Sequence, residues 1–153
     1  MNTVISQEVL DTIFDEVTRQ ITETVAGIRL YRGSAAPSGE VYTVYAAFER
    51  GFRSSLSLCA EASVFTRLTQ NIMQSTQVTA QDVEDFTKEY FNILCGHVAS
   101  RLFQITKIAC RFEIPSFHRG QYQPETHQDQ FNINYFSDKN ECVLLTHHAL
   151  VMR

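Results

Sequence analysis

Residues 80–103, AQDVEDFTKEYFNILCGHVASRLF, constrain this chain more than any other stretch, because Phe86, Tyr90, Ile93, Leu94, Val98 and Leu102 recur at helical spacing. A helix of that length runs about 36 Å, close to the full width of the body that 153 residues can form. The rest of the chain must therefore be arranged around one rod. Thr79 with Asp82 three residues later is the pattern of a capping box and marks its start. With 44% apolar and 20% charged residues, there is enough material for one core and one domain over 1–153.

The segments on either side alternate between helical and strand periodicity. Val9, Leu10, Ile13, Val17, Ile21 and Val25 predict a helix over 6–26, with Ser6 as N-cap and Gly27 as stop. Residues 32–40, RGSAAPSGE, read as a loop. Residues 41–60 read as a hairpin turning at Gly51, and 61–73 as a short helix. After the long helix, 108–115 reads as a strand that Pro115 ends, 117–128 as a loop, and 131–136 with 141–152 as a second hairpin around Ser137 to Asn140. This order predicts an α+β fold, a mostly antiparallel sheet with packed helices. Strands with apolar residues on both faces suggest a sheet covered on both sides.

Several functions are disfavoured. A net charge of -4 leaves no basic stripe for nucleic acid. No apolar run approaches membrane-spanning length, and MNTVISQEVLDTIF lacks the regions of a signal peptide. Cys59, Cys95, Cys110 and Cys142 show no CxxC spacing and lie in apolar segments, which fits reduced cysteines in the cytoplasm. His147 and His148 are adjacent in a strand and point to opposite faces, and no HxxxH or HExxH occurs, so no metal site is expected. The P-loop, GxSxG and GxGxxG motifs are absent.

The long helix holds the one anomaly. Asp85, Glu89, Asn92, Gly96, Ala99, Ser100 and Phe103 share a strip opposite the apolar seam. Glu89 and Asn92 are i and i+3, so their heads lie side by side. A solvated face would account for both residues without any function. Gly96 costs about 1 kcal/mol against alanine inside a helix; it permits close approach of a second surface, or simply tight helix packing.

The spacing Asp85-x3-Glu89-x2-Asn92-x22-Pro115 resembles the active-site signature of the CheC, CheX and FliY family of chemotaxis phosphatases. The element order resembles the single-domain CheX branch over nearly the whole chain, although only 85–115 is specific. The first helix offers Asp11, Asp15 and Thr18 at the equivalent spacing without a Glu-Asn pair, so one site is expected. The resemblance implies a phosphatase acting on the aspartyl phosphate of a CheY-like receiver domain. Asn92 would position the attacking water, and Glu89 would pair with the receiver's lysine. Asp85, Gly96, Ser100 and Pro115 would serve docking or shape the site. No cofactor would be held by this chain, the divalent metal, Mg2+, being the receiver's. Relatives in this family form homodimers through their sheets, and the C-terminal hairpin is the expected edge. His97 stands where such proteins often carry asparagine, and it is expected to point toward the core. A non-catalytic receiver-binding module of the same fold is the alternative; retention of the Glu-Asn pair favours the phosphatase.

Overall fold

The computed structural model describes residues 5–122 and 128–150. Three helices, α1 (Gln7–Ala26), α2 (Ala62–Met73) and α3 (Ala80–Thr106), accompany seven strands. The strands are β1 (Leu30–Arg32), β2 (Val41–Arg50), β3 (Ser54–Glu61), β4 (Arg111–Phe112), β5 (Ser116–Arg119), β6 (Gln128–Ser137) and β7 (Cys142–Leu150). The sheet order is β1-β6-β7-β3-β2-β4, with β5 also on β2, and all its pairings are antiparallel. The expected α+β architecture is thus the observed one.

The helix starts follow the sequence. Ser6 accepts from the Val9 amide, and Gly27 closes α1 in the left-handed conformation (φ 66°) that a glycine adopts without strain. At α3 the capping box is complete: Thr79 Oγ1 accepts from the Asp82 amide, and Asp82 Oδ2 accepts from the Thr79 amide, each at 3.0 Å. One face of the sheet carries Val44, Ala46, Leu56, Leu58, Ala60, Ile133, Tyr135, Val143 and Leu145. These residues meet Phe14, Val17, Phe65, Leu68, Tyr90, Leu94 and Val98 from the helices in one core. Burial of side chains of this size stabilises by about 1.5–3 kcal/mol each.

The other sheet face carries no helix, which corrects the expectation of two covered apolar faces. Its buried residues are Val41, Thr43, Ser57, Cys59, Thr146 and His148. All but Val41 line a cavity of about 110 Å³ beneath Pro37, Gln121 and Tyr122. Loop chain replaces a second helical layer there.

Three further corrections concern strands. β1 was not expected, being only three residues long. Chain after Pro115 returns to the sheet as β5, within the segment read as a loop; residues 123–127 of that segment lie outside the described residues. β4 and β5 together form an edge strand on β2, and a proline without an N–H is tolerated on an edge. Finally, β7 is interior, between β6 and β3, and only β6 approaches the border, where β1 covers its last three residues. The expected dimer edge is therefore reduced to the part of β6 ahead of β1.

Candidate functional site

α3 fixes the candidate residues. Its buried seam is Val83, Thr87, Tyr90, Phe91, Leu94, Cys95, Val98 and Leu102. This seam is turned toward Phe91 and Cys95 relative to the one read from sequence, because the edge strand also packs along the helix. Cys110 Sγ lies 3.6 Å from the Ala99 carbonyl oxygen, and Arg119 reaches the Ala80 carbonyl (3.4 Å) and Glu84 (3.5 Å). The rotation leaves Phe86 and Ile93 half-buried and His97 exposed, so the expected inward-pointing His97 is wrong. It stands outside the seam, where nothing constrains it to be apolar.

Asp85, Glu89, Asn92, Gly96 and Ser100 are all exposed, in one line along α3. Asp85 accepts a hydrogen bond from Gln81 at 2.9 Å. Glu89 and Asn92 have no hydrogen-bond or ion-pair partner among the described residues. Gly96 meets open space: a Cβ added there would find nothing within 4 Å. The fold therefore does not require this glycine, and the internal-packing explanation fails. Pro115 is not on the strip. It is buried in the break between β4 and β5, on the edge strand beside α3.

A carboxylate and an amide on a 27-residue helix held at its start by a capping box form a rigid presenting element. The amide can donate and accept, so it can hold and aim a water; the carboxylate can pair with a cation brought to it. Burial raises the thiol pKa values of Cys59, Cys95 and Cys110, so none is a ready nucleophile. The described residues contain no cluster of three His, Cys, Asp or Glu side chains able to hold a metal. No described helix is long and apolar enough to cross a membrane.

Sequence reasoning passed over Ile114, the residue before the buried proline, whose relative exposure is 87%. Its exposure follows from the edge position of β4 and β5, which no local pattern announces.

The family model of the chemotaxis phosphatase CheX matches residues 42–136, which include the whole Asp85 to Pro115 pattern. Among solved structures, the chain is similar to a chemotaxis protein CheX from Desulfovibrio desulfuricans. The TM-score is 0.74 at 17% identity, over 91% of this chain and 97% of that one. A chemotaxis protein CheX from Vibrio vulnificus gives 0.76 at 12% identity, over 96% and 99%. The CheX-CheY-BeF3-Mg2+ complex from Borrelia burgdorferi gives 0.73 at 9% identity, over 91% and 96%. At such identities the likeness is one of fold. No curated protein sequence matches.

Proposed function

The chain belongs to the CheX family of chemotaxis phosphatases, and on that premise we propose that it hydrolyses the aspartyl phosphate of a CheY-like receiver domain. The observation that carries this reading is the exposed, unpartnered Glu89 and Asn92 on one rigid helix face. Side chains left without partners by their own fold, yet held at a fixed separation, suit a target that arrives from outside.

Phosphoryl transfer asks a protein for positioning and charge stabilisation more than for covalent chemistry. Docking brings the strip over the receiver's phosphorylated aspartate. Asn92 accepts a hydrogen bond from a water and aims its oxygen at phosphorus, in line with the leaving carboxylate oxygen. The new P–O bond forms as the acyl-phosphate P–O bond breaks. The receiver regains its carboxylate, and inorganic phosphate leaves with the metal still the receiver's. Glu89 pairs with the receiver's lysine and sets the docked pose. Gly96 and Ser100 leave room for the approaching surface, and Asp85 extends the acidic end of the contact.

The test is the lifetime of the phosphate on a receiver from the same genome. Wild type shortens it, and Asn92→Ala loses about 10²-fold of that acceleration while still binding. If wild type and Asn92→Ala both leave the lifetime unchanged while binding persists, the chain is a receiver-binding module instead. We further place the protein in the cytoplasm as a homodimer, the border segment of β6 supplying the contact. A 17.5 kDa species in solution would exclude the dimer.

A further inference from the structure

We infer that Ile114 is the apolar anchor of the receiver-docking surface, a proposal that rests on the reading above. The strip from Asp85 through Ser100 presents two carboxylates, an amide, a glycine and a hydroxyl, but no exposed large apolar side chain before Phe103. Stable protein contacts have an apolar centre as well as a polar rim, and hot spots lie in that centre. A surface built from the strip alone would have no centre.

The geometry of the edge strand supplies one. Segment 110–119 runs antiparallel beside α3, with Cys110 at Ala99 and Arg119 at Ala80 and Glu84. From Cys110 to Arg119 the strand advances roughly 30 Å at 3.3 Å per residue. From Ala99 back to Ala80 the helix covers roughly 29 Å at 1.5 Å per residue. The two rulers agree, so positions on one map onto the other. Ile114 falls between these two anchors, along the middle of α3 that carries Glu89 and Asn92.

Its outward direction has a local cause. β2 pairs Phe48 with Phe112 and Tyr45 with Ser116, so Glu113, Ile114 and Pro115 oppose only Ala46 and Ala47. The extra residue makes a bulge, and bulges re-aim side chains. Glu113 keeps its bond to the Ala47 carbonyl at 2.8 Å, Pro115 turns inward, and Ile114 is driven out. The occupant is the receiver that seats its phosphorylated aspartate over Asn92. Its matching surface is a cation for Glu89 with apolar side chains beside it, at the separation of Ile114 from the helix.

The test measures binding of a CheY-like receiver from the same genome, loaded with beryllofluoride and Mg2+, so that no turnover is needed. Ile114 has no core contacts to lose, so Ile114→Ser folds as wild type does. Its Kd rises about tenfold or more, and Ile114→Val restores most of the affinity. Val9, another exposed apolar residue (40%), carried by α1 rather than by α3 or the edge strand, provides the control, and Val9→Ser leaves Kd unchanged. Unchanged binding by Ile114→Ser overturns the anchor and leaves the hydrolytic reading standing. Full hydrolysis by Asn92→Ala sinks that reading while the anchor survives in the binding data. A wild-type chain that binds no loaded receiver overturns both.

Discussion

Asp11, Asp15 and Thr18 on α1 stand at the same mutual spacing as Asp85, Glu89 and Asn92 on α3. On α1 each of the three is turned to the chain's own use or buried. Asp11 accepts from Gln7 at 2.8 Å. Asp15 accepts from the buried Tyr135 hydroxyl at 2.6 Å and pairs with Arg19 and Arg32. Thr18 is fully buried. On α3 the middle and last positions are exposed and unpartnered. The same spacing on two helices of one core thus serves cohesion in one and presentation in the other. Residue type decides only part of this, and the neighbouring strand decides the rest: Tyr135 on β6 reaches Asp15, whereas none of the described residues pairs with Glu89.

This contrast can be broken by exchanging the consequences of substitution. The largest expected effect is at α3. Asn92→Ala lowers receiver dephosphorylation about 10²-fold and leaves the thermal transition where it was.

An acid titration probes the support beneath α1. His147 lies against Phe14 of α1 at 5.0 Å between ring centroids. Burial depresses its imidazole pKa from 6.5 to about 4, with Asp11 pulling the other way and His148 adding to the depression. The unfolded chain binds this proton more readily than the folded one. The contribution to stability is therefore complete above pH 6.5 and is lost as the pH falls toward 4. The loss is on the order of 2–3 kcal/mol, read by denaturant titration across that window. His147→Phe should make this acid limb shallower, leaving the part that the buried His148 contributes.

Asp15→Ala is the counterpart of the α3 substitution. It strands the Tyr135 hydroxyl and costs about 2 kcal/mol of stability, measured by denaturant unfolding, with turnover at low temperature unchanged. Equal loss of activity from Asp15→Ala and Asn92→Ala would erase the distinction between the two helices. The smallest effect sharpens it most. Gly96→Ala should stabilise α3 by up to about 1 kcal/mol, since a Cβ has room there, yet weaken receiver binding. A gain in both would mean that the glycine has no docking role.

Both long helices, the two caps of α1, the N-cap of α3 and the strip were legible in the sequence, because periodicity and capping are local signals; the end of α3 at Thr106, capped by Lys107, was not. The return of the chain to the sheet at Ser116 was not. Pro115 reads as a strand end unless the edge position of β4 and β5 is known, and edge position is a property of the assembled sheet. The depth of β7 was hidden for the same reason, since sheet order is non-local. His97 was misjudged because the core seam of α3 was read from its own apolar residues, while the edge strand at Ala99 turns the helix toward Cys95. The exposure of Glu89 and Asn92 was readable; that no side chain of the fold would claim them was not.

The closed start of α3 has a further consequence. With Thr79 and Asp82 bonded reciprocally and Arg119 gripping the first turn, the helix has a fixed zero of rotation. One residue inserted between Thr79 and Asp85 would swing the working pair through about 100°, away from any visitor. Chain length is therefore tightly policed in this stretch of the molecule.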